Sequence, residues 1–334
     1  LQMVLNGTAG GNSFMTNPSK CQVNTVNADV ISPTPTTAAV SGSYTTTGCP
    51  QTFNPTITAS VNPTENAQPT ALTLGINVPA NHSTVSRVQT TFPVGMEINP
   101  GAGNGLLACA TATIDAGGAG CPATSDQGNV TLTTPLLPTA VSGDIYLETP
   151  GVTPATRYKL AIVLRIPGRN LVIHGSAQVN GSGGGSDSGN GQVTADFNGI
   201  PDLGFSNLTL AFNGGGGALF TNPDTCGSKT VSMDLTPNTT GGAVATRTAN
   251  FTVDGNGSGG ACAAPVPYTP TFTGSVSTTA AGGHPNLTMT VNRTDKHQQI
   301  RDLAFHLPTG MVANTSATPQ CAQATAAAGG CVAG

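Results

Sequence analysis

Tryptophan is absent from this 334-residue chain, and only four tyrosines and ten phenylalanines are present. Sugar-binding sites usually stack their ligand on aromatic rings, so that chemistry has little to build on, and any core must be filled mainly by aliphatic side chains. Charge is equally scarce. Asp, Glu, Lys and Arg make up 8% of the residues, against roughly 25% in an average soluble domain, and the net charge is −4. Lysines and arginines stand singly, which leaves no basic stripe for a nucleic-acid backbone. The longest apolar runs fall far short of the ~20 residues that a membrane helix needs. The opening residues have neither a basic start nor an apolar stretch, so they are not a secretory signal; a mature secreted fragment has this look. No window carries apolar residues at helical spacing.

What is abundant is glycine (44) and proline (25), together with threonine, serine, asparagine and alanine. Segments such as Tyr158–Ile166 exclude disorder, because their β-branched and apolar side chains have surface to bury. Apolar and polar residues alternate over short runs, among them Thr56–Val61, Ala71–Ile76, Gln192–Phe197, Thr230–Leu235 and Ala249–Val253. Each run is bounded by Gly, Pro, Asn or Asp. That period of two predicts strands with one face in a core and a Thr/Ser face in water. The fold class expected is all-β, made of antiparallel β-sandwiches.

The chain repeats itself. Leu1–Cys21 (LQMVLNGTAGGNSFMTNPSKC) returns as Leu208–Cys226 (LTLAFNGGGGALFTNPDTC). Phe53–Val61 returns as Tyr268–Val276, and Leu72–Val78 as Leu287–Arg293, both at an offset of 215 (268 − 53). Val85–Met96, ending Phe-Pro-Val-Gly-Met, returns as Ile300–Met311, ending Leu-Pro-Thr-Gly-Met. A period of about 207 residues is too long for a solenoid repeat of ~20–50 and suits a tandem pair of sandwich domains. Phase divides the chain into four parts. Residues 1–49 read as the closing strands of an incomplete β-sandwich, 50–127 as a compact Ig-like sandwich, 128–262 as a larger β-sandwich and 263–334 as a repeat of 50–127. The run Gly181–Gly189 is the longest turn expected in the larger sandwich. A half-sandwich exposes its core and its strand edges. The partner expected is therefore either a continuation of the array or strands added from another chain.

Eight cysteines set the compartment: Cys21, Cys49, Cys109 and Cys121 recur in order as Cys226, Cys262, Cys321 and Cys331. None stands in Cys-x-x-Cys spacing or beside a histidine, which argues against zinc. An even number repeated in order reads as a disulfide framework made in an oxidising space. Four cysteines per copy allow three connectivities. Pairing neighbours closes every loop within one expected domain: Cys21–Cys49, Cys109–Cys121, Cys226–Cys262 and Cys321–Cys331. Each bond would contribute roughly 3 kcal/mol in the chain-entropy description.

The order Phe212-Asn-Gly-Gly, Asn222-Pro-x-x-Cys-Gly, Thr236-Pro, Phe251-Thr-Val, Cys262, Tyr268-x-Pro-x-Phe, Leu307-Pro-x-Gly-Met and Cys321 resembles a repeat of very large secreted proteins from high-GC Gram-positive bacteria. The resemblance spans nearly the whole chain and rests on turn and disulfide residues. It implies a cell-surface location, tandem Ig-like domains and no assigned activity, and it brings no catalytic residue with it. Asn238 departs from the pattern, standing where a tryptophan is expected after Thr236-Pro237.

Candidate sites weigh little against structural uses. His82, His174, His284, His297 and His306 stand alone, and no Gly-x-Ser-x-Gly elbow marks a nucleophile, so surface or edge positions are expected. Gly214–Gly217 lacks the Gly-Lys-Ser/Thr of a phosphate cradle and suits a hairpin or bulge. Asp187, Asp196 and Asp202 cluster around a glycine-rich turn without the spacing of a calcium loop, and a solvated turn is expected. Lys159 and Glu148 lie on neighbouring candidate strands, and a buried Lys next to an Asn with such a carboxylate can form an isopeptide crosslink. Eleven Asn-x-Ser/Thr sequons are candidate glycan acceptors: Asn6, Asn81, Asn129, Asn180, Asn207, Asn238, Asn250, Asn256, Asn286, Asn292 and Asn314. The threonine rows Thr45–Thr47 and Thr131–Thr134 read as the water face of a sheet. No metal, cofactor or catalytic residue is expected. The function that follows is an extracellular structural repeat protein forming a cell-surface stalk or filament. The alternative is a surface adhesin or carbohydrate-binding module.

Overall fold

A computed structural model describes residues 2–9, 12–13, 15–34, 36–98, 107–151, 158–179, 191–294, 296–298, 300, 302–313, 320–323 and 325. The chain is antiparallel β almost throughout. Its N-terminal part forms two hairpins, β1 (Thr8–Ala9) with β2 (Asn12–Ser13) and β3 (Val23–Ile31) with β4 (Thr37–Thr45). A central sheet of 13 strands follows. It starts with β5 (Thr56–Asn62), β6 (Pro69–Asn77), β7 (Val85–Thr91) and β8 (Glu97–Ile98). After the short helix α1 (Thr111–Asp115) comes a meander of β9 (Asp126–Thr133), β10 (Val141–Glu148), β11 (Tyr158–Ile166), β12 (Arg169–Val179) and β13 (Val193–Asn198). The sheet is completed by β14 (Asn207–Phe212), β15 (Phe220–Thr221), β16 (Gly227–Pro237) and β17 (Ala245–Val253). A last hairpin joins β18 (Thr271–Val276) to β19 (Leu287–Asn292).

Side-by-side order in the central sheet is β17-β16-β7-β13-β12-β11-β10-β9-β14-β6, with β5 on the other edge of β6 and β15 linking β6 to β8. Its two ends meet. β17 lies against β5, and Arg247 donates from Nε to the Pro55 carbonyl (2.8 Å) and from Nη2 to Asn54 Oδ1 (2.7 Å). The folded-over sheet encloses one apolar core, to which Leu72, Leu74, Val130, Leu132, Met233 and Leu235 contribute. Along β9, Val130 and Leu132 point inward while Thr131 and Thr133 face water, as their alternation requires. Phe92, Phe212 and Phe220 cluster in this core, with ring centroids 5.1 and 5.2 Å apart. They do much of the filling that tryptophan would otherwise do.

The expected boundary at 127/128 does not interrupt this sheet, because β9 runs across it. Strands from 50–127 and 128–262 share the sheet: β7 lies between β13 and β16, and β6 between β5 and β14. The two parts expected as separate sandwiches therefore build one sheet. Period-two alternation tells which face of a strand is buried but not which strand lies beside it, so it is silent on such interleaving. The helix α1 also went unread, since five residues are too few to show a helical stripe. Three disulfides have the expected pairing: Cys21–Cys49, Cys109–Cys121 and Cys226–Cys262. Cys321 is disulfide-bonded too, and Cys331 lies outside the described residues. Gly181–Gly189 is likewise outside them.

The flanking hairpins copy the central sheet in register but not in burial. β3 pairs with β4 as β16 pairs with β17: Val26 opposes Gly42 as Val231 opposes Ala249. β18 pairs with β19 as β5 pairs with β6, Val276 opposing Leu287 as Val61 opposes Leu72. Residues 2–6, the counterpart of β14, and 302–307, the counterpart of β7, form no strand. In the central sheet β14 is held by β6 and β9, and β7 by β13 and β16. Without such neighbours the backbone has no ladder to join.

Candidate functional site

β11 is buried on both sides. Leu160, Ile162 and Leu164 enter the main core, while Ala161 and Val163 pack outward with Cys109, Ile114 and Tyr146. The loop carrying α1 covers that outer face. Its Cys109 N–H donates to the Leu147 carbonyl (2.8 Å), and the Cys109–Cys121 disulfide closes the loop. At the margin of this second cluster the fold assembles its most concentrated charge.

The Glu148 side chain there is 0% exposed. Its Oε1 accepts from Lys159 Nζ (2.5 Å) and from Thr111 Oγ1 (2.5 Å). Its Oε2 lies 2.9 Å from His174 Nδ1, and His174 Nε2 lies 2.9 Å from Asp115 Oδ1. Strand register makes the group. Glu148 is directly opposite Lys159 on β11, and His174 on β12 opposes Ala161, two residues along on the same face. Burial pushes the Glu148 carboxyl up, but the hydrogen bonds from Lys159, Thr111 and His174 outweigh it and hold the group below the ordinary carboxylate range. Burial pushes the His174 imidazole down, and its bonds to Glu148 and Asp115 outweigh that, so it lies above its ordinary value. Both ring nitrogens face carboxylates, which leaves neither to act as a general base. Lys159 meets Glu148 as an ion pair, with its amine held as the donor. What this network does is tie the disulfide-closed loop to the sheet.

The other candidates disperse. His82 Nδ1 accepts from the Asn54 N–H (3.1 Å), His297 contacts Thr269 (3.2 Å), and His284 and His306 are exposed. Asp196 forms a two-pronged ion pair with Arg87 (2.8 and 2.7 Å). Asp202 accepts from the Ser19 N–H (2.6 Å) and from Thr84 Oγ1, joining the N-terminal part to the central sheet. Asp187 lies outside the described residues, among which no three His, Cys, Asp or Glu side chains converge on a metal position. Gly214–Gly217 forms a single turn linking β14 to β15, with Gly215 at φ +76°. Asn6, Asn81, Asn129, Asn250, Asn256, Asn286 and Asn292 are exposed; Asn207 is half-buried, and Asn238 is buried with Nδ2 donating to Thr84 Oγ1 (2.9 Å). Asn180 and Asn314 lie outside the described residues. An interior space of about 80 Å³ has hydrocarbon walls apart from Thr90 and Tyr158, which makes it a packing void of the core.

Part of the surface left open is apolar. Val26, Val30 and Tyr44 are exposed on the N-terminal hairpin, and Phe272, Met289 and Leu303 on the C-terminal part. A groove of about 270 Å³ runs between β18–β19 and residues 300 and 302–306. No described helix is long and apolar enough to cross a membrane. Comparison with known proteins gives no match: no protein-family model, no curated protein and no solved structure is similar to this chain.

Proposed function

We propose that this chain is an extracellular structural repeat protein that contributes β-sheet units to a cell-surface stalk or filament. One observation carries the reading: the hairpins flanking the central sheet repeat the registers of its own strands, yet leave exposed the apolar faces that those strands bury. Exposed sheet faces and edges of this kind are interaction surfaces. An extracellular setting is supported by the disulfides, which are stable where thiols are not kept reduced. The Glu148 network fits a mechanical role, since its groups are mutually satisfied, and no catalytic step is proposed. Electron microscopy of native material tests the reading. A regular fibre whose axial repeat matches one or two units is expected; dispersed single particles with no higher order refute it.

A further inference from the structure

Inside the central sheet, two stretches far apart in sequence meet directly. Residues 56–98 supply β5 to β8, and residues 207–253 supply β14 to β17; β14 pairs with β6, β15 with β8, β16 with β7, and β17 lies against β5. Each stretch has a second copy in the chain. Residues 263–313 repeat the first and residues 2–49 the second, and each copy's hairpin keeps its parent's register. The copies differ from the parents in what covers them. Val231 is 0% exposed and its counterpart Val26 60%; Val88 is 6% exposed and its counterpart Leu303 57%.

We propose that residues 2–49 of one copy of this chain dock head to tail onto residues 263–313 of a second copy. The junction rebuilds the pairings that 207–253 make with 56–98 in the central sheet. The proposal rests on the scaffold reading and names the partner in it. Register specifies the contacts. Leu210 faces Leu74 across β14–β6, so Met3 of one copy comes opposite Met289 of the next. Leu235 faces Val88 and Met233 faces Thr90 across β16–β7, so Val30 comes opposite Leu303 and Ala28 opposite Phe305. That last pair exchanges its sizes. A large residue on β16 meets a small one on β7 in the central sheet, whereas at the junction the small residue is on the β16 side and the large one on the β7 side. Total volume is conserved, which is what close packing demands of a matched pair of surfaces. Phe305 is half of a ring pair with Phe272 (centroids 5.8 Å) on the wall of the exposed groove, where Ala28 leaves room for it. The two ends also leave the central sheet at opposite ends of β16. Ser19 bonds Asp202 near the Pro237 end, and Lys296 bonds Glu65 and the Gly255 carbonyl near the Gly227 end (3.2 Å to the carbonyl). Such a heterologous contact propagates into an open linear chain of copies.

The test uses the 334-residue chain and two surface variants, Val30→Asp in the inserting end and Leu303→Asp in the receiving end, with circular dichroism to check that each is folded. Sedimentation of the unaltered chain is expected to show a weight-average mass that rises with concentration to at least about twice the 33.1 kDa monomer. Each variant alone should remain monomeric, because each has lost one of the two ends. Mixed together they should form dimers and nothing larger, since one live inserting end meets one live receiving end. An unaltered chain that stays monomeric at every concentration overturns the proposal, and so does a variant that still self-associates alone. Native fibres seen alongside a monomeric chain would leave the scaffold reading standing and remove only this junction.

Discussion

Replacing Glu148 with glutamine removes one charge from the Glu148–Lys159–His174–Asp115 network while keeping its shape. A buried pair stripped of one partner costs about 3–5 kcal/mol, and an exposed pair contributes about 0–1. This site lies between those limits. Glu148 is fully buried, but the Lys159 and His174 side chains are 27% and 39% exposed and can turn their charge to water. Glutamine can still accept from Lys159 and Thr111, so the expected loss is about 2 kcal/mol, or about 4–8 °C in Tm for a sheet of this size. The pH dependence is more diagnostic. Glu148 titrates below its ordinary 4.5 in the folded chain, so its stabilisation is complete above that value and lost as pH falls through the lowered one. His174 titrates above its ordinary 6.5, so its contribution is complete below 6.5 and lost as pH rises through the raised value. The gap between parent and Glu148→Gln should therefore be widest between about pH 5 and 6.5 and narrow on either side. Urea unfolding followed across that range is the assay. Equal midpoints from about pH 4 to pH 9 would refute the view that this network clamps the loop to the sheet.

Three further outcomes follow from the geometry. Gly128→Ala should destabilise the chain by about 2 kcal/mol or more in thermal unfolding, because Gly128 has φ +146° and a Cβ there would lie 2.1 Å from the Ala211 carbonyl oxygen. Peptide mapping without reduction should return Cys21–Cys49, Cys109–Cys121 and Cys226–Cys262. Removing the last, which closes a 36-residue separation, should cost about 4 kcal/mol in denaturant unfolding. Asp254 is held down to about 2 by hydrogen bonds from Thr64 and from the backbone N–H groups of Asn256 and Gly257. Its stabilisation is complete above the ordinary 3.8 and lost as pH falls towards 2, so Asp254→Asn should be less stable than the parent at neutral pH, with a flatter acid limb that converges on the parent's as pH approaches 2.

Much of this architecture follows from local rules that a sequence states openly. Alternation along Thr56–Val61 marks a strand with one face buried and the other wetted, and the continuous apolar, β-branched run Tyr158–Ile166 marks one that is buried on both faces. Cysteine order made neighbour pairing the expected one of three connectivities, and the three described bonds follow it. The Glu148–Lys159 pair was readable as neighbours on adjacent strands, but His174 and Asp115 were not. They arrive through a third strand and through a helix too short to announce itself.

Neighbourhood is what only the tertiary structure decided. β7 and residues 302–307 have closely similar patterns, yet one is a central strand and the other forms none. Val231 and Val26 have the same identity and the same hairpin register, yet one is buried and the other exposed. A strand's pattern specifies which of its faces seeks cover, and it is silent about who provides it. Its backbone N–H and C=O groups need a partner that lies dozens of residues away or on another chain. For that reason the sheet continues through the boundary that phase alone predicted, and the same sequence motif is core in one place and open surface in another.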